Sequence, residues 1–207
     1  YYMSEKVIVN DAKGVGAFIQ AANEMEMIPT LNYGKGKTVV LDYFFNNEWR
    51  KDATGTNIRY HYVWDDRMNS GFATLGDIFN SYGVQTKSLE TAPTAKDLKG
   101  ANMYIIVDPD TEKETAKPNY MNETYANAIA DWVKAGGVLI LMANDKGNAD
   151  LEHTNILASK FGVKFNEDNY NLVVADKFEQ GAVMIPANNP VFKTAKKVYL
   201  KEVSTLQ

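Results

Sequence analysis

Four apolar strands, each followed by a helical pattern, limit what this chain can fold into. The first is Thr38-Val39-Val40-Leu41-Asp42-Tyr43-Phe44-Phe45, read as a strand over 38–45. A long loop over 46–69 leads to a helix over 71–82. That helix carries Phe72, Leu75, Ile78 and Phe79 on one face, and Gly83 stands at its C′ position. Val84 to Lys87 reads as a short second strand, and Pro93 to Leu98 as a single helical turn. Met103 to Val107 is apolar on both faces, the mark of a buried parallel strand. After the polar loop Asp108–Asn119, a helix over 122–135 buries Ala126, Ile129, Ala130 and Val133 and exposes Asn127, Asp131 and Lys134. Gly136-Gly137 end it. Val138 to Met142 is the fourth strand. A third polar loop, Asn144–Asp150, precedes a helix over Leu151–Phe161 closed by Gly162. Four such units in a row predict an α/β fold: a parallel, doubly wound sheet flanked by helices, with right-handed crossovers and the flavodoxin-like order 2-1-3-4.

Beyond Val163 the pattern changes. Val163-Lys164-Phe165, Asn171 to Val174, Ala182 to Ile185 and Lys197 to Leu200 are strand-like pieces without helices between them. They predict an antiparallel C-terminal extension at one edge of the sheet. The last piece lies close to Gln207, so more sheet is expected beyond it. The four lysines from Lys193 to Lys201 alternate with Val198, Tyr199 and Leu200, which reads as a strand edge with a solvated face. At the other end, Val15, Phe18, Ile19, Ala22 and Met25 fall at helical spacing over 11–27. Gly14 and Gly16 suggest that this helix packs closely on something. Ile28-Pro29 ends it, and 31–37 reads as a linker.

A length of 207 residues with 45% hydrophobic content can supply a full core. The net charge of −4, with acids and bases interspersed, gives no field for nucleic acid. No apolar run approaches the ~20 residues of a membrane span. The chain has no cysteine, which excludes disulfides, thiolate zinc sites and cysteine nucleophiles. Tyr1 to Glu5 lack the basic and apolar regions of a signal peptide, and a start at Tyr1-Tyr2 without an initiator Met reads as a cut from something longer.

The three polar loops all follow the carboxyl ends of strands, where open α/β sheets bind ligands. They contribute Asp42, Asn46, Glu48, His61, Trp64, Asp65 and Asp66, then Asp108 and Asp110, then Asn144, Asp145, Asn148, Glu152 and His153. Both histidines of the chain fall in this set. The most informative stretch is His61-Tyr62-Val63-Trp64-Asp65-Asp66. Its histidine and aspartates, with Asp108, have the ligand types for a divalent metal, but no HxH, HxxxH or HExxH spacing supports one, and Glu152 and His153 point roughly 100° apart on a helix. Paired carboxylates such as Asp65 and Asp108 suit glycoside hydrolysis, although carboxylates are common in loops. Tyr62, Trp64 and Trp49 either stack on sugar rings or anchor the loop to the core. Gly34-Lys35-Gly36-Lys37 precedes a strand and is not a P-loop. Ser70-Gly71 reads as a helix start, either capped by the serine or open to an anion. Asn122-Glu123-Thr124 matches a glycosylation sequon and reads more simply as an N-cap.

Longer strings carry a resemblance. Asp42-Tyr43-Phe44-Phe45-Asn46-Asn47-Glu48, the His61–Asp66 stretch, Asn69-Ser70-Gly71-Phe72, Ile105 to Thr111 with Glu114, and Asp131 to Leu139 resemble the class I glutamine amidotransferase-like C-terminal domain attached to some Bacteroidetes glycoside hydrolases of families 88 and 105. Those are unsaturated glucuronyl or rhamnogalacturonyl hydrolases acting on pectin fragments. Asn10 to Phe18 resembles the last helix of their (α/α)6 barrel. The resemblance implies two parts: residues 1–30 as that helix plus linker, and 31–207 as the amidotransferase-like domain, cut short at its C-terminus.

The resemblance also implies that the parent's catalytic residues lie in the missing barrel, so none transfers to this chain. The amidotransferase nucleophile is a cysteine, absent here. The corresponding region, Met142 to Gly147, offers amides and a carboxylate instead. The expected role is therefore a non-catalytic accessory domain in pectin-saccharide degradation, binding carbohydrate or serving structure. No cofactor or metal is implied. The expected partners are the barrel of the same polypeptide and a uronic-acid oligosaccharide, with room for a homodimer and no role for nucleic acid or membrane. The setting is periplasmic by resemblance, with the cytoplasm as the alternative. The competing reading is an independent sugar- or ester-hydrolysing enzyme using His61, Asp65 and Asp108.

Overall fold

The computed structural model describes residues 12–68 and 70–207. Residues 1–11 and 69, which include Asn10, Asp11 and Asn69 of the strings above, lie outside the description. The elements in chain order are α1 (Ala12–Met27), β1 (Thr38–Asp42), β2 (Trp49–Lys51), β3 (Asn57–Arg59), α2 (Ala73–Ser81), β4 (Gln85–Leu89), β5 (Met103–Val107), α3 (Glu123–Lys134), β6 (Val138–Met142), α4 (Leu151–Ala158), β7 (Ala182–Ile185) and β8 (Lys196–Tyr199).

β4, β1, β5 and β6 pair in that order, all in parallel. This is the expected 2-1-3-4 order with helices on both faces. Strand alternation decides which helix each residue meets. Val39, Leu41, Ile105 and Val107 face Phe72, Leu75 and Phe79 on and beside α2. Val40, Tyr104 and Ile106 face Ala126 and Ile129 of α3 and Leu157 of α4. Asn122 caps α3 by accepting from the Tyr125 N–H, so the sequon position serves the helix start. Gly83, at φ +80°, closes α2 as its position implies.

Four expectations are corrected. The first strand ends at Asp42, not Phe45, because the Asp42 carboxylate gathers the N–H groups of Phe44, Phe45 and Asn46 and turns the chain. The 46–69 segment is not all loop. It holds the antiparallel hairpin β2–β3, closed by Asp52, whose carboxylate accepts from the N–H groups of Thr54 and Thr56. Ser70 does not cap α2: the helix starts at Ala73 with no side-chain cap, and the Ser70 carbonyl accepts from the Tyr62 N–H. The antiparallel extension exists, but β7 and β8 pair with each other and not with the parallel sheet. Residues 163–165 and 171–174 are not strands. Phe165 and Tyr170 form single bridges to Leu206 and Val203, and Lys164 exchanges hydrogen bonds with Gln207.

α1 stands apart from this core. Phe18 and Met25 are 75% and 68% exposed. Among the described residues nothing lies within 4 Å of where a Cβ would sit on Gly14 or Gly16. The segment that follows is firmly tied. The Thr30 hydroxyl donates to the Ser81 carbonyl, the Gly34 N–H donates to the Tyr82 carbonyl at 2.7 Å, and the Leu31 carbonyl sits where Gly83 would carry a side chain. Among the described residues no helix is long and apolar enough to cross a membrane.

Candidate functional site

The crevice at the carboxyl ends of β1 and β5 forms where the strand order reverses. Its floor is built from residues in strained conformations. Asp108, first after β5, has φ +48°, and the neighbours His61 and Tyr62 have φ +64° and +53°. Each such residue costs on the order of 1 kcal/mol and persists only where its surroundings fix it. Here the surroundings do so. The Asp108 N–H donates to the Met142 carbonyl, and its carbonyl accepts from the Asn46 side chain at 3.1 Å. The His61 N–H donates to Asp66 and the Tyr62 N–H to Ser70.

His61 is a positioned ring. Its Nδ1 lies 2.6 Å from Glu48 Oε1, and it stacks between Tyr60 and Tyr62. Burial pushes Glu48 up, but hydrogen bonds from His61 and Tyr60 outweigh it and hold the carboxyl below its ordinary value. The same bond to Glu48 raises His61 against its burial. Each thus favours the charged form of the other.

Two carboxylates here have a buried oxygen without a hydrogen-bond partner, Asp108 Oδ1 and Asp110 Oδ1. Asp108 is 5% exposed, and of the two it is the one that lines a cavity. Burial first, then the charges of Glu114, Glu48 and Asp110 against that of His61, raise its pKa to about 7. It lines a cavity of about 190 Å³ with Tyr62, Val107, Met142, Asn144 and Lys201. Burial and then the Asp108 charge push the Tyr62 hydroxyl up to about 12.

Several expected site residues prove to be scaffolding. Asp42 is buried and, beyond its three N–H donors, accepts from the Tyr104 hydroxyl at 2.5 Å. Its burial raises it to about 6 against those bonds. Asp110 accepts from the Asn47 N–H and the Thr115 hydroxyl. Asp66 accepts from the Met68 and His61 N–H groups. Trp64 and Tyr62 are anchors: the Trp64 indole donates to the Lys87 carbonyl and packs on Phe72 and Phe79, while Tyr62 packs on Phe72. Asn148 donates to Asp145. Glu152 lines a separate small cavity with Asp150, and His153 pairs with Asp150 and stacks on Tyr120. Among the described residues no group of three or more His, Asp or Glu is placed to hold a metal ion.

Asp65 and Asp66 line a second cleft, not the Asp108 cavity. It measures about 460 Å³ and lies between the β2–β3 hairpin and the end of the sheet, with Trp49, Arg50, Arg59 and Glu90 in its wall. The Arg59 guanidinium is sandwiched, 4.7 Å from the Trp49 ring and 5.6 Å from the Tyr43 ring, and donates to the Tyr43 carbonyl. Trp49 remains 53% exposed. Arg50, Arg59, Glu90 and Lys201 escaped the sequence reading. The Trp49–Arg59 pairing follows from the hairpin, whose Asp52–Gly55 turn is its one local signal. Lys201 reaches the crevice through tertiary packing that no local pattern reveals.

The left-handed residue after a strand stands at Asp108, just past β5, and not in the Met142–Gly147 stretch, where only Gly147 has positive φ. The residue after Asp108 is Pro109, which has no N–H to offer an oxyanion, and the next helix begins only at Glu123. The crevice thus has groups suited to holding a ligand, and at Pro109 it offers no backbone N–H.

No family model matches this chain, and no curated protein does. Among solved structures, the mmIFT52 N-terminal domain is similar with a TM-score of 0.56 at 15% identity, covering 82% of this chain and 68% of that one. At that identity the likeness shows the fold: a parallel α/β sheet between helices.

Proposed function

We propose that this chain is a non-catalytic accessory domain of an unsaturated uronyl glycoside hydrolase of the family 88/105 type, and that it binds carbohydrate in the cleft beneath the β2–β3 hairpin. The observation that carries this reading is the half-exposed Trp49 ring in a cleft of about 460 Å³ whose rim also holds Arg50, Arg59, Asp65 and Glu90. An aromatic face takes the C–H face of a sugar ring, the carboxylates take its hydroxyls, and a guanidinium takes a uronate. The exposed apolar face of α1 supports docking on the barrel of the same polypeptide, where Phe18 and Met25 find cover. The resemblance sets the reading in the periplasm.

The test is calorimetric titration with a uronic-acid oligosaccharide. Trp49→Ala is expected to weaken binding by about tenfold or more, on the order of 1–2 kcal/mol of stacking, with an unchanged melting temperature. Trp64→Ala is expected to lower the melting temperature instead, since that ring packs inward. No heat with wild type, or equal binding by Trp49→Ala, sinks the reading.

A further inference from the structure

The Asp108 cavity is separate from the hairpin cleft and is too small for an oligosaccharide. Its volume is about 190 Å³. A buried carboxylate oxygen without a partner is costly, and native structures rarely tolerate one without reason. Here the cost is compounded. The backbone at Asp108 is left-handed, a conformation that carries its own cost. The wall opposite is polar. Asn144 Oδ1 already accepts from the Asp145 N–H at 3.0 Å, so its amide N–H2 is the donor it can offer. Lys201 stands at the rim, and among the described residues it forms no ion pair. Asp108 Oδ1 therefore lacks a donor, although the Tyr62 hydroxyl is hydrogen-bonded to the same carboxyl, and the rim carries an unpaired cation.

A ligand that satisfies both must bring a donor at one end and an anion at the other, a few bonds apart. We propose that this cavity binds a small carboxylate bearing an O–H or N–H group next to its carboxyl carbon. The donor group bonds Asp108 Oδ1, and the carboxylate pairs with Lys201 and the Asn144 amide. Hydroxy acids and amino acids share this chemistry. Val107 and Met142 add apolar wall on either side and leave room for no more than a short side chain.

The experiment titrates the chain with glycolate, glycine and propionate, followed by calorimetry and by amide shifts of Tyr62 and Asn144 in NMR spectra. Glycolate or glycine is expected to bind and to move those two amides, and propionate, which lacks the donor, to bind about tenfold more weakly. Which of the two binds more tightly identifies the donor as hydroxyl or ammonium. Lys201→Met is expected to weaken every carboxylate by about tenfold, and Asp108→Asn, which keeps an acceptor oxygen but removes the charge, to reduce the preference over propionate, most for the ammonium of glycine. Asn accepts the left-handed conformation, so the second variant keeps its fold. Trp49→Ala, in the other cleft, should leave all three titrations unchanged. Absence of binding by both glycolate and glycine overturns the proposal. So does binding that neither Lys201→Met nor Asp108→Asn alters.

Discussion

Asp108 is where burial, backbone strain and like charge meet. Its folded pKa of about 7 lies well above the ordinary 3.8 because the carboxyl is desolvated and faces Glu114, Glu48 and Asp110, with His61 the one opposing charge. The folded chain holds that proton more tightly than the unfolded one. Its contribution to stability is therefore fully present at acid pH, declines as pH rises from about 4 to about 7, and is lost above that. An amide at this position removes the loss. Asp108→Asn is expected to be more stable than wild type by about 2–4 kcal/mol at pH 8 and nearly equal to it at pH 4, measured by denaturant unfolding at both. A gap that is the same at both pH values would show that the charge is not the cause. Asp42, equally buried, is the counter-case: its backbone donors and the Tyr104 hydroxyl give its charge a reason to be there.

Among the elements, the β2–β3 hairpin matters most to the proposed cleft because it carries Trp49, Arg50 and Arg59. It consists of two three-residue strands and turns at Gly55, whose φ is +83° and beside which a Cβ would meet nothing within 4 Å. Any substitution there acts through the backbone alone. Gly55→Val is expected to cost about 1–2 kcal/mol and to shift tryptophan fluorescence, while Gly55→Asn stays near neutral, as thermal unfolding with fluorescence detection would record.

The sheet was legible in the sequence because Met103–Val107 and Val138–Met142 are continuously apolar, a pattern that leaves a buried parallel strand little alternative. The hairpin was not, since Trp49-Arg50-Lys51 and Asn57-Ile58-Arg59 show no run of alternation. The edge pieces misled for another reason. Val163-Lys164-Phe165 alternates like a strand, yet its partner is the segment ending at Gln207, and pairing over that separation leaves no local trace. The candidate loops were found by position, after the strands. Which of their carboxylates lacks a partner is decided by burial, and a linear pattern ranks Asp42, Asp108 and Asp110 alike.

At the scale of the whole molecule, both cavities lie at the carboxyl ends of the strands, while α1 joins from the other side of the chain's first strand. Gly83 marks that junction: a Cβ there would lie 1.9 Å from the Leu31 carbonyl oxygen, at a φ only glycine tolerates easily. Gly83→Ala is expected to cost about 2–3 kcal/mol and to speed tryptic cleavage at Lys35 and Lys37, seen by melting temperature and a proteolysis time course. If cleavage there is as slow as in wild type, the junction is not what protects the segment. The three ties between residues 30–34 and the end of α2 make this short stretch a fixed joint and not a tether. A partner that held α1 would be joined to the sheet through this tied segment, and would set the direction in which the two clefts open, as a handle aims a tool head.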